Sequence, residues 1–200
     1  MRTVMSDHKK SKKRCEWGTF KEPILGIYHD KEWGVPTLDD RKIFEFLVLE
    51  SAQAGLSWIT ILRKRENYRK AFADFDPRKI AKFTPVHVEK LLMNPGIIRN
   101  RLKIEATINN AKRFLDVQKE FGTFSKYIWG FVNHKTIRNR WKKLSDLPAK
   151  TKEAEDLSAD LKKRGFKFLG PVVIYAHMQA TGMVNDHCVD CFRYKEVVPK

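Results

Sequence analysis

Two hundred residues suffice for one sizeable core or two small lobes sharing one, and a composition 42% hydrophobic with 13 Phe and 5 Trp is that of a globular chain. A formal net charge of +16 and a pI near 9.8 point to a polyanionic partner, nucleic acid before membrane, since no stretch approaches about 18 consecutive apolar residues. No signal peptide is visible at the basic, polar start, and three cysteines argue against a disulfide framework, so the expected setting is reducing and cytoplasmic, with no membrane partner. Residues 1–14 carry many charges and little to bury, and read as a disordered basic arm. Residues 15–194 read as a single domain and residues 195–200 as a tail.

From Cys15 onward, starts and stops recur at helical spacing, and strand-like alternation is scarce. In the stretch Thr37–Trp58, Ile43, Phe46, Leu47 and Glu50 fall on one helical face, three of them apolar. Thr37 with Asp40 three residues on predicts an N-cap and a short capping-box partner, and Gly55 supplies the stop. Glu50 thus points toward a core, where a carboxylate needs a partner, a protonation change or a ligand. Trp58, which opens the next helical run, sets a large flat ring near that acid and suggests a pocket. The alternative is a Glu bonded to a neighbouring helix or reaching the rim.

Ser57 is placed to cap a helix carrying Ile61, Leu62, Tyr68 and Phe72. Asp76-Pro77 and Thr84-Pro85 each put an N-cap residue before a proline at N1. Ile97 and Ile98 begin a long pattern that ends before Gly122; Thr123 caps the next segment. Thr151 starts a helix that stops at Gly165, and Pro171 to Gly182 makes the last long one. The fold class expected is all-α, in one compact domain.

Between Val86 and Arg99 the pattern predicts two short helices joined at Pro95-Gly96, the second beginning with free backbone N–H groups. Such a start suits a phosphate, and Arg99, Arg101 and Lys103 add positive charge. The segment resembles a helix-hairpin-helix, the sequence-independent module for the DNA backbone; the bland alternative is an ordinary turn.

Cys15 and His29 lie near one end of the chain, His187 and Cys191 near the other. Two thiolates and two imidazoles make a tetrahedral zinc set with no open position, which would join the chain ends structurally and leave no site for a catalytic water. The alternative is an isolated His29-Asp30 pair and two unremarkable cysteines, and Cys188 is a competing ligand.

The segments YHDKEWGVP (Tyr28–Pro36), LESAQAGLSWITILRKRENYRKAF (Leu49–Phe72), LKKRGFKFLGP (Leu161–Pro171) and MQATGMVNDH (Met178–His187) resemble the 3-methyladenine DNA glycosylase I family. The resemblance runs in order from Cys15 to about Cys191. It implies an all-α, helix-hairpin-helix glycosylase-like fold whose termini are joined by a structural zinc on Cys15, His29, His187 and Cys191. It also implies base recognition by Glu50, the residue expected to carry catalysis, with Tyr28 and Trp58 as pocket rings and Leu56 as a wedge into the vacated base stack. Gly96, Ile97, Arg99 and Arg101 are the expected contacts to the DNA backbone. The implied partner is double-stranded DNA carrying alkylated bases, bound by a monomer.

Two positions depart from the family pattern. Leu25 stands where many members have a second Tyr, and Ala52 where a Gln is frequent, and both are expected to make the pocket wall less polar. The activity implied is monofunctional hydrolysis of the N-glycosidic bond of 3-methyladenine, because no pocket Lys motif suggests Schiff-base chemistry. The competing reading is a non-enzymatic DNA or alkylation-damage binder that kept the fold.

Overall fold

The computed structural model describes residues 12–19 and 22–197. Ten α-helices occupy most of them: α1 Pro23–Lys31, α2 Asp40–Gln53, α3 Trp58–Ala71, α4 Pro77–Ile80, α5 Pro85–Leu92, α6 Arg101–Phe121, α7 Phe124–Gly130, α8 Lys152–Lys163, α9 Pro171–Ala180 and α10 Arg193–Glu196. Two short strands, β1 Ile137–Arg138 and β2 Val184–Asn185, pair in parallel. Among the described residues no helix is long and apolar enough to cross a membrane.

The architecture is organised by α2. Every residue from Ile43 to Ala52 is buried, so this helix is covered on all sides, the signature of a core helix. It packs against α3, α6, α7 and α9. The proline-led starts of α4 and α5 lie where the sequence predicts them, after Asp76 and Thr84. The Thr123 and Thr151 hydroxyls cap α7 and α8 by accepting the N–H of Lys126 and Ala154.

Two predicted starts shift. Helix α2 is capped by Asp39, whose carboxylate accepts the Arg41 N–H, rather than by Thr37. Asp40 instead reaches across to α7 and accepts the backbone N–H groups of Phe124 and Ser125, both at 2.7 Å. It therefore supplies the negative charge that a helix N-terminus favours, but to a neighbouring helix. Helix α6 begins at Arg101, capped by the Asn100 side chain, and not at Ile97. The reason is that the preceding amides are already engaged: Gly96 N–H bonds Asn94 Oδ1 and Ile98 N–H bonds the Tyr68 hydroxyl.

The described fold reaches past both edges of the 15–194 unit. The Lys13 carbonyl accepts the Phe192 N–H, Arg14 forks onto Asp30, and Val197 is buried. Residues 1–11 of the expected arm and 198–200 of the expected tail lie outside the described residues.

Helix α9 buries His177 with no hydrogen-bond partner on either ring nitrogen among the described residues. Burial pushes its pKa down to about 3, so the ring stays neutral in the fold. The folded value lies below the unfolded one of about 6.5. The stability linked to this group is therefore present above about pH 6.5 and lost as pH falls toward 3. His177→Phe is expected to remove that contribution. Melting temperatures of parent and variant measured from pH 8 to pH 4 should diverge in the variant's favour on the acid side, and parallel curves would overturn the assignment.

Candidate functional site

Adjacent residues on a helix diverge by about 100°, and α1 uses this to serve two sites at once. Tyr28 faces a cavity of about 930 Å³, and His29 faces a cluster of sulfur and nitrogen atoms on its other side.

The cavity floor is set by α2 and α3. Glu50 is only 5% exposed, yet it lines the cavity together with Tyr28 and Trp58. Burial pushes its carboxyl up to about 8, with no compensating cation or donor among the described residues. The contrast with Glu45, one and a half turns earlier on the same helix, is instructive. Glu45 is equally buried but accepts from Arg65 Nε and Arg69 Nη2, each at 2.8 Å, with Lys42 at 3.3 Å. One buried glutamate is fully paired within the protein, while the other is left facing a void. The Tyr28 and Trp58 rings stand 5.4 Å apart at 55°, beside that carboxyl. The Tyr28 hydroxyl is held well above its ordinary pKa, first by burial and then by Glu50. The Trp58 Nε1 group is buried without a partner among the described residues.

Between α2 and α3, Gly55 takes a φ of +80°, the left-handed conformation that the predicted helix stop requires. The turn leaves Leu56 40% exposed, immediately before the lining residues Ser57 and Trp58 in the chain. Lys103 of α6 fixes this turn by donating from Nζ to the Ala52 and Ala54 carbonyls at 2.8 and 2.7 Å. The hairpin segment and the end of α2 are thereby tied together. Within the hairpin Arg99 is exposed, whereas Arg101 forks onto Glu89 at 2.8 and 3.0 Å and is largely compensated. The Ile97 side chain is core, and its N–H bonds the Asn94 carbonyl at 3.4 Å. The expected row of free amides is thus shorter than the sequence suggests.

Two expectations about the wall change. Leu25 does line the cavity, but Ala52 is packed in the core, and the polar residue presented there is Gln53. Trp17, Leu144, Leu147 and Gln179 also line it and were not anticipated from the sequence. They come from two short 3-10 helices, a loop and the end of α9, all distant from α2 and α3 in the chain. Of the carboxylates in the wall, Glu22 is paired with Arg63 at 2.8 Å, which leaves Glu50 as the uncompensated one among the described residues.

The second site gathers Cys15, His29, His187 and Cys191, all buried, with ligand atoms within 4.8 Å of one another. Cys191 Sγ lies 3.5 Å from His29 Nε2 and 3.6 Å from His187 Nδ1, and Cys15 Sγ lies 3.6 Å from His187 Nδ1. A zinc with Zn–S of about 2.3 Å and Zn–N of about 2.05 Å at tetrahedral angles would place S and N about 3.6 Å apart. The outer nitrogens are already committed: His29 Nδ1 donates to Asp30 at 2.8 Å and His187 Nε2 donates to the Trp33 carbonyl at 3.0 Å. Each imidazole is therefore fixed in the tautomer that turns a lone pair toward the cluster. Gly18 permits the close approach, since a Cβ there would sit 2.6 Å from His29 Cγ. Cys188 is buried nearby but outside the set, and its backbone N–H donates to Cys15 Sγ. The donor set fits a closed structural metal, with all four positions taken by protein.

Residues 17–194 match the family model described as methyladenine glycosylase. A protein of Haemophilus influenzae called DNA-3-methyladenine glycosylase is 51% identical over 89% of this chain and 96% of its own length. Escherichia coli DNA-3-methyladenine glycosylase 1 is 48% identical over 90% of this chain and 96% of its own. Among solved structures, a Tyr-to-Phe variant of 3-methyladenine DNA glycosylase I in complex with 3-methyladenine superposes with a TM-score of 0.88. It shares 40% identity, covering 94% of this chain and 98% of that one. With the match spanning nearly the whole fold, this chain belongs to the methyladenine glycosylase family.

Proposed function

We infer that this protein excises 3-methyladenine from alkylated DNA by hydrolysing the N-glycosidic bond. The observation that carries the reading is Glu50, a buried carboxyl without a partner among the described residues, facing a cavity flanked by Tyr28 and Trp58. Family membership, with named relatives that act on 3-methyladenine, supports it.

Methylation at N3 makes the adenine nucleotide cationic and weakens its glycosidic bond, so strong protonation of the leaving base is unnecessary. The enzyme must instead take the nucleotide out of the stack, at an unstacking cost of roughly a few kcal/mol, and hold it. Tyr28 and Trp58 offer π-faces, which attract a cationic ring more than a neutral one. Glu50 accepts hydrogen bonds from the exocyclic amine, and its carboxylate form is favoured once a cation enters the cavity. Leu56, exposed just before the lining residues, fills the space that the base leaves. Of the expected hairpin contacts Gly96, Ile97, Arg99 and Arg101, the Gly96 and Ile97 amides are bonded to Asn94, and Arg99 is exposed with no carboxylate partner among the described residues, so Arg99 carries the phosphate contact. No Lys lines the cavity among the described residues, in keeping with hydrolysis and no strand cleavage. A zinc held by Cys15, His29, His187 and Cys191 joins the two ends of the fold and takes no part in the reaction.

The test is incubation with methylated duplex DNA, with chromatographic identification of what is freed. Expected is free 3-methyladenine and DNA whose strands stay intact until alkali cleaves the abasic sites. Binding of the alkylated duplex without base release would replace the reading with that of a damage-binding protein.

A further inference from the structure

The segment that runs from β1 toward the cavity wall alternates strictly. Ile137, Asn139 and Trp141 are half-buried, while Arg138, Arg140 and Lys142 are exposed, and Lys143 follows them on the surface. The inward residues are anchored by one buried carboxylate. Asp186 accepts from Asn139 Nδ2 at 2.6 Å, Trp141 Nε1 at 2.7 Å, the Tyr175 hydroxyl at 2.6 Å and Gln179 Nε2 at 2.8 Å. The backbone is held as well, since Ile137 and Asn139 donate to the Met183 and Asn185 carbonyls and the Trp141 carbonyl accepts from Val189.

Among the described residues the outward cations have no carboxylate partner. The nearest carboxylate on the segment, Asp146, takes the backbone N–H groups of Lys142 and Lys143, not their ammonium groups. Arg138 is steadied by lying 4.6 Å over the Tyr194 ring, which leaves its N–H donors to solvent. At about 3.3 Å per residue, alternate side chains of an extended segment stand about 6.6 Å apart. That step is comparable with the one between successive phosphates of an extended nucleic-acid strand. Leu144 and Leu147, directly after the row, line the same cavity as Glu50. The row therefore leads along the chain to the cavity wall.

We propose that Arg138, Arg140, Lys142 and Lys143 form a second phosphate-binding surface that grips the DNA backbone beside the cavity while the hairpin grips it elsewhere. This rests on the reading of the protein as acting on DNA. It makes the segment a positioning device: two separated backbone contacts hold the duplex so that the nucleotide between them lies over the cavity.

The test uses the full chain with Arg140, Lys142 and Lys143 all changed to Gln. These side chains are exposed, so the fold should be unaffected. A control with Lys79→Gln and Lys119→Gln neutralises two exposed lysines, one on α4 and one near the far end of α6 from the hairpin. Affinity for an undamaged duplex is measured by anisotropy across a salt series. With about 0.9 of slope lost per phosphate contact, the triple variant is expected to lower the slope of log affinity against log salt by about 2 to 3. The control is expected to keep the parental slope. Quenching of tryptophan fluorescence by free 3-methyladenine should be the same in all three proteins. A triple variant with the parental slope overturns the second surface while leaving the proposed activity intact, provided that the parent still releases base. A parent that neither binds duplex nor releases base overturns both.

Discussion

Glu50→Gln is expected to slow release of 3-methyladenine by about 10- to 100-fold, which corresponds to losing a charge-assisted hydrogen bond of roughly 1.5–3 kcal/mol. The substitution keeps the size of the side chain but replaces one acceptor with a donor and removes the possibility of a carboxylate facing a cationic base. Stability should move the other way. The folded carboxyl is raised to about 8, above the usual value of 4.5. The associated stability is therefore present in full below about pH 4.5 and lost as pH rises through about 8. The Gln variant escapes this loss, so its melting temperature should overtake the parent's increasingly between pH 5 and pH 9. Slower release with higher alkaline stability separates a ligand-facing acid from a structural one. For the paired Glu45, replacement by Gln should cost stability, because it leaves Arg65 and Arg69 under-compensated. Parental release rates from Glu50→Gln would remove this residue from base recognition.

The contrast between these two glutamates also marks what local sequence can convey. The face drawn through Ile43, Phe46, Leu47 and Glu50 places Glu50 inward, and the structure agrees. The same reasoning gives no hint of Glu45, because α2 is buried all round and its inward direction is not a single face. The partners that make Glu45 structural, Arg65 and Arg69, sit one turn apart on α3, a relation that becomes visible only when the helices are packed. Helix stops and proline-led starts were legible because they are local chemistry, as at Gly55, Asp76 and Thr84. Asp40 and Asn100 show where local reading fails. Asp40 caps a helix more than 80 residues away, and the amides before Asn100 are satisfied by Asn94 and Tyr68, so α6 starts later than its apolar pattern. The cavity follows the same division. Tyr28, Glu50 and Trp58 come from segments whose resemblance to a family marks them, whereas Trp17, Leu144 and Leu147 lie outside those segments and reach the wall through tertiary placement.

Removing the metal set is expected to have the largest effect on stability. Purified protein should carry about one zinc per chain, as four buried donors at these separations imply. Cys191→Ala should abolish that zinc and lower the melting temperature. The cluster joins Cys15 and His29 to His187 and Cys191, so it closes a loop of more than 150 residues, and the nearest measured analogue is a long-range disulfide. A loss of about 3 kcal/mol, in the range of such a cross-link, converts to about 6–12 °C for a domain of this size. Cys188→Ala is the internal control: it also removes a buried sulfur, but one outside the donor set, so zinc content should stay unchanged. Activity should suffer as well, because the cluster and the cavity share a wall. Trp17 and Trp33 line the cavity and stand edge-on to His29 and His187, with ring centroids 5.0 and 4.6 Å apart. Loss of the metal frees those imidazoles and loosens both indoles, so affinity for free 3-methyladenine should fall in Cys191→Ala and not in Cys188→Ala. Protein that is metal-free as purified, with a melting temperature indifferent to chelator and to Cys191→Ala, would show that the four side chains hold the chain ends by packing alone.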